Sequence, residues 1–98
     1  MDGAAFCALL DECRRKAALS VSDLGIWFGE PRISVYNWLQ GRKPHAHRRE
    51  FLTARLMLLV KLIGKPKSPF PVPHGLSQYS RQNYIRGILN VVTGKKLP

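Results

Sequence analysis

Glycine and proline divide the apolar pattern of this chain into short helical pieces, and the sharpest division falls at Gly29-Glu30-Pro31. Upstream of it, Leu24 and Phe28 mark the inward face of a brief helix over about Val21 to Phe28. Ser20 or Ser22 is placed to cap that helix, because a short hydroxyl side chain accepts a free amide at a helix start. Gly29 ends the helix by accepting a left-handed backbone. Pro31 suits the first turn of a new helix, where its missing N–H would be unpaired anyway. This next helix runs to about Gln40, with Val35, Trp38 and Leu39 as its apolar stripe, and Gly41 closes it.

The same periodicity extends to both sides. Phe6, Leu9, Leu10, Cys13 and Ala17 recur at helical spacing, predicting an amphipathic helix from about Ala4 to Ala18. A basic connector, Arg42 to Arg49, leads into a helix from about Ala46 or His47 to Ile63. Its apolar residues, Phe51, Leu52, Leu56, Met57, Leu58, Leu59 and Val60 among them, go most of the way round, so it is either central or half of a subunit interface. Residues 64–75, GKPKSPFPVPHG, hold four prolines and predict an extended strap, either a loose linker or an arm packed through Phe70 and Val72. A last helix, about Gln78 to Val92, places Ile85, Ile88, Leu89 and Val92 on one face, followed by a frayed tail. No stretch alternates as a strand would. With 98 residues there is material for one core, and the expected fold is all-α, a single small domain of about five helices.

Charge is divided along the chain. Residues 1–30 carry three basic and five acidic residues, whereas residues 31–98 carry thirteen basic residues and only Glu50. The net +10 says little about fold but points to a polyanionic partner, met by a surface that begins near residue 31. No apolar run reaches the roughly 18–20 residues needed to span a bilayer, and acidic Asp2 with no basic region near it does not make a secretory signal. Cys7 and Cys13 lie about 240° apart around their helix, so reduced, buried thiols in a cytoplasmic protein are expected rather than a disulfide.

Residues 20–41, SVSDLGIWFGEPRISVYNWLQG, resemble the helix-turn-helix of the Cro- and Xre-type (lambda-repressor-like) regulators of phage and bacteria, and the likeness extends over about Ala4 to Ile63. Two helices crossing steeply need a small residue where they touch, and Gly25 stands there, in place of the family's usual alanine. Gly29 fits the tight turn, while Val35 and Trp38 fit the anchors of the third helix. The resemblance implies a DNA-binding core at 1–63 with a central helix-turn-helix, to which the residue pattern adds a proline-rich strap at 64–76 and a C-terminal helix and tail at 77–98. It further implies that the third helix enters the major groove of double-stranded DNA. On that likeness, Arg32, Ile33 and Asn37 are the base-contacting residues. Arg32 suits guanine O6 and N7, Asn37 suits adenine N6 and N7, and Ile33 can meet a thymine methyl. Ser34 and Tyr36 are expected at phosphate or sugar. Arg42, Lys43, His45, His47, Arg48 and Arg49 of the connector are expected at the DNA backbone, giving salt-sensitive affinity without sequence preference. The family often starts its second helix with a phosphate-clamping glutamine. Here that position is Val21, so Ser20 or Ser22 would have to substitute.

Ile26 and Trp27 stand where the family usually carries charged side chains, and an apolar pair there needs a cover. The cover is the strap and last helix, a second subunit, or simply an enlarged core, which makes the pair a candidate partner or dimer patch. Arg81 and Arg86, with Lys65, Lys67, Lys95 and Lys96, form a second basic group, either a further phosphate-binding surface or the wet side of an amphipathic helix. His45 and His47 lack a cysteine or carboxylate at ligand spacing, so no metal is expected. Scattered carboxylates and the lack of a phosphate-cradling loop argue against an enzyme, and no cofactor is expected. The expected function is therefore sequence-specific DNA binding by a small transcriptional regulator, as a homodimer. The rival readings are a DNA-packaging or adaptor protein without sequence preference, and an antitoxin-like protein that binds a partner through its C-terminal part.

Overall fold

Three of the helix starts among the described residues coincide with side chains that accept free amides. In the computed structural model, which describes residues 1–94, Asp2 caps α1 (Gly3–Ala17), its Oδ1 accepting from the Ala5 amide at 2.8 Å. Of the two candidate serines it is Ser20 that caps α2 (Val21–Phe28). Ser20 Oγ accepts from the Asp23 amide at 3.0 Å, and Asp23 Oδ2 accepts from the Ser20 amide at 2.9 Å, a reciprocal capping box. α3 (Arg32–Leu39) has no side-chain cap, and Pro31 stands at its N-cap, one position before the first turn in which the sequence pattern places it. Its extended backbone, φ −60° and ψ 148°, turns the chain into the helix. α4 (Ala46–Ile63) and α5 (Gln78–Thr93) complete the set, and α5 is capped by Ser77. The protein is all-α, with five helices and no strand among the described residues. No helix among them is long and apolar enough to cross a membrane.

The turn between α2 and α3 is made by Gly29, at φ +67°, and by the Glu30 amide, which donates back to the Gly25 carbonyl at 3.0 Å. That bond draws the two helices so close that a Cβ built on Gly25 would lie 2.9 Å from the Glu30 carbonyl oxygen. Glycine is required at this position by backbone contact. Alanine ordinarily stabilises a helix interior by about 1 kcal/mol over glycine, but overpacking against backbone costs about 1–3 kcal/mol. Gly25→Ala is therefore expected to destabilise the fold by about 1 kcal/mol net. Urea unfolding checks this, and a raised midpoint would show that the junction yields.

The core is built around three aromatic rings in mutual edge-to-face contact. Phe6 of α1, Phe28 of α2 and Trp38 of α3 have centroids 5.6–6.0 Å apart. Leu10, Leu24 and Val35 pack with them, and α4 contributes the buried stripe Leu52, Leu56, Leu59 and Leu62. α4 is thus central through one stripe, while Phe51 and Met57 remain exposed on its other side. The guanidinium carbons of Arg48 and Arg55 lie 4.9 and 5.1 Å from the Phe51 ring centre.

The proline-rich strap is a packed arm. Phe70 and Val72 are buried, and the Val72 amide donates to the Ala17 carbonyl at the end of α1. Phe70 meets Trp27 edge-on at 6.2 Å, and Trp27 Nε1 donates to the Arg55 carbonyl at 2.9 Å. This corrects the reading of Trp27 as part of a partner or dimer patch. The indole is 1% exposed, and its cover is the protein's own strap. Ile26 is half-buried and packs against the same core, at a groove between α2 and α5.

α5 is fastened to the start of α2 by a buried ion pair. Asp23, whose carboxylate completes the capping box, accepts from Arg81 Nη2 at 2.6 Å and from Nε at 3.2 Å, while Nη2 also donates to the Ala18 carbonyl. The carboxylate is 3% exposed and the Arg81 side chain 25%. Arg81 is thereby neither a phosphate-binding residue nor part of a wet helix face, the two roles its sequence position proposes. Ile85, one turn further on, is buried against the core. Lys95 and Lys96 lie outside the described residues.

Candidate nucleic-acid interface

At about 100° per residue, α3 presents its side chains in a definite order. Val35, Trp38 and Leu39 turn inward. The remaining arc runs from Arg32 at one edge, through Tyr36 and Ile33, to Asn37 and then Ser34 at the other edge. Ile33 is 63% exposed and Tyr36 46%, and Arg32 is exposed as well. Asn37 and Ser34 are half-buried because they line a cleft at the foot of the helix. All five residues singled out on this helix lie on one continuous outward surface.

Each edge of that arc borders a groove. On the Ser34–Asn37 side a cleft of about 460 Å³ continues to Arg42, Lys43, His45 and Arg48 of the connector. On the Arg32 side a groove of about 370 Å³ is lined by Ser22 and Ile26 of α2 and by Gln82 and Arg86 of α5. α3 is therefore a ridge between two channels, each of mixed polar and apolar lining.

The connector residues are not equivalent. Arg42 and Lys43 are exposed and make no ion pair among the described residues. The Arg42 carbonyl is held by Cys7, whose Sγ donates to it at 3.4 Å; burial pushes the Cys7 thiol up, so it stays protonated at neutral pH. Cys13 is likewise a free, buried thiol pushed up by burial. Arg48 is engaged within the protein, donating through Nε and Nη2 to Glu30 Oε1 at 2.9 and 2.7 Å. That pair ties the turn before α3 to the first turn of α4. Arg49 Nη2 donates to the Pro44 carbonyl at 3.1 Å, and its Nε is buried without a partner. His45 and His47 are exposed and stacked, with ring centres 5.6 Å apart. Ser20 Oγ is occupied as the α2 cap acceptor, and Ser22 lines the α5-side groove.

Ion pairing explains where positive charge is left at the surface. In α1, Arg14 and Arg15 pair with Asp11, and Lys16 pairs with Glu12. Glu30 and Asp23 are taken by Arg48 and Arg81. Arg32, Arg42, Lys43 and Arg86 have no such partner among the described residues and border α3 or its two channels, while exposed Lys61, Lys65 and Lys67, also without an ion pair, lie away from them. Sequence reasoning put Arg86 in a diffuse basic group and did not place it beside Arg32. Gln82 was not singled out. The S-x-x-D pattern of Ser20 and Asp23 signals a cap, but nothing local marks Asp23 as a buried charge that needs Arg81.

No protein-family model, curated protein or solved structure matches the chain.

Proposed function

We propose that this protein is a sequence-specific double-stranded DNA-binding protein of the helix-turn-helix type, a small transcriptional regulator that reads the major groove with α3. The observation that carries this reading is the outward arc of α3, where exposed Ile33 and Tyr36 stand between channels bordered by arginines with no internal partner. The major groove is about 12 Å wide and admits one helix, and its two walls are phosphate strands. A ridge carrying base-reading side chains, flanked by cations, has the matching form.

In this reading Arg32, Ile33 and Asn37 face base edges, and Ser34 and Tyr36 face sugar or phosphate. Arg42, Lys43, His45 and His47 line the backbone on the connector side, while Arg48 and Arg49 hold that connector in place. One recognition helix reads only a few base pairs, so the protein acts as a homodimer across half-sites about one helical turn apart. It does so in the cytoplasm, on the genome.

Binding-site selection from random duplexes, followed by competition between the selected site and random DNA, tests the proposal. A regulator prefers its site by about 10³-fold or more. A flat profile would instead favour a packaging or adaptor protein, and loss of all duplex binding would leave a protein-binding role such as that of an antitoxin. Arg32→Ala and Asn37→Ala are each expected to relax preference at one base position, by about 1–3 kcal/mol of discrimination. Equal weakening on every sequence would show that these side chains only grip the backbone.

A further inference from the structure

The groove on the Arg32 side of α3 is assembled from three helices that are distant in sequence. Its polar lining consists of Ser22 from α2, Arg32 from α3, and Gln82 and Arg86 from α5, with Glu30 at its edge. Gln82 and Arg86 are four residues apart on one helix and so project from the same face. Their position does not depend on a flexible tail. Arg81, the residue before Gln82, is locked to Asp23 and to the Ala18 carbonyl, and Ile85, the residue before Arg86, is buried in the core.

We infer that α5 carries a phosphodiester-binding site of the DNA interface, with Arg86 and Gln82 on one wall of the groove and Ser22 on the other, beside the base-reading Arg32, holding the strand opposite the connector. This rests on the proposed reading of α3 as a recognition helix. The Arg86 guanidinium, the Gln82 amide and the Ser22 hydroxyl supply donors on both walls for the charged oxygens of a phosphodiester, and Arg32 adds positive charge at its edge. Neither Arg32 nor Arg86 has a carboxylate within ion-pair distance among the described residues, and the one acidic side chain at the groove, Glu30, is already neutralised by Arg48. The start of α2 is a poor alternative site for that strand. Its first turn holds the Asp23 carboxylate, and the cation beside it, Arg81, is engaged with that carboxylate. The groove opens beside the outward arc of α3 because Arg32 belongs to both. An extended polyanion lying along α3 therefore passes over it, which selects a duplex backbone over a small free anion.

The test uses the full chain and Arg86→Ala, with a fluorescein-labelled random-sequence duplex and the selected site, titrated across potassium chloride concentrations. One phosphate contact contributes about 0.9 to the slope of log affinity against log salt. Arg86→Ala is expected to lower that slope by about one and to weaken both duplexes equally, about five- to tenfold near 0.1 M salt. Arg86→Lys is expected to keep the slope. The melting temperature should not change, since the Arg86 side chain makes no hydrogen bond or ion pair among the described residues and alanine keeps the helix. If the wild-type protein binds duplex and Arg86→Ala leaves affinity and slope intact, the α5 site is wrong while the α3 reading stands. If the wild-type protein binds no duplex, both fall. An Arg86-dependent rise in melting temperature with inorganic phosphate, together with an unaltered duplex slope, would assign the groove to a free anion and overturn the site as stated.

Discussion

Trp38→Ala is expected to lower the unfolding free energy by about 3–5 kcal/mol, the cost of removing a large buried ring that the surrounding side chains cannot fully replace. Trp38 is the ring through which α3 enters the core, where it meets both Phe6 and Phe28 edge-on. Domains of this size are stable by about 5–15 kcal/mol, so the variant should be marginal at room temperature. The midpoint of urea denaturation, followed by circular dichroism, measures the loss. A variant that melts within a few degrees of the wild type would show that α3 is anchored by Val35 and Leu39 alone. Under the proposed function, a parallel loss of site preference is expected even where the variant remains folded, because this ring is the largest of the anchors, with Val35 and Leu39, that orient the arc from Arg32 to Asn37.

The second large effect comes from the buried pair that joins α5 to α2. Arg81→Ala leaves the Asp23 carboxylate almost fully buried without its cation and removes a donor to the Ala18 carbonyl. Breaking one side of a buried pair typically costs about 3–5 kcal/mol. The low end, about 3 kcal/mol, is expected here because a quarter of the Arg81 side chain reaches water. In a domain of this size that lowers the melting temperature by about 12–24 °C. The double variant Arg81→Met with Asp23→Asn is expected to recover part of the loss, since it removes the stranded charge while a side-chain amide oxygen can still accept from the Ser20 N–H. If Arg81→Ala were neutral, the pair would contribute nothing to holding α5. Because Arg81 sets the position of Gln82 and Arg86, the single variant should also blunt the salt dependence attributed to the α5 groove.

The helices were legible because their determinants are local. Apolar spacing marked each one, a short hydroxyl, Ser20 or Ser22, marked one of the starts, and Gly29 and Gly41 marked two of the ends, both at positive φ. The outward face of α3 was legible for the same reason. Once Val35 and Trp38 are assigned inward, the 3.6-residue repeat leaves Arg32, Ile33, Tyr36 and Asn37 outside. Ile26 and Trp27 were recognised as needing a cover, but three covers satisfied the pattern equally. A ring that buries itself against Phe70 is specified by a contact 43 positions along the chain, which no local period encodes.

The order of residues alone determined five helices, their glycine and proline punctuation, and an excess of positive charge beginning near residue 31, because each follows from interactions within a turn or two or from a count of charges. Tertiary structure alone decided which cations that surface can offer. Arg81 meets Asp23 across 58 positions and Arg48 meets Glu30 across 18, so two arginines that look free in the sequence are engaged by carboxylates of the same chain. Arg86 and Arg32, unremarkable as neighbours in the sequence, share a groove because α5 folds back along α2. Charge pairing acts through space, and only the packed chain sets those distances.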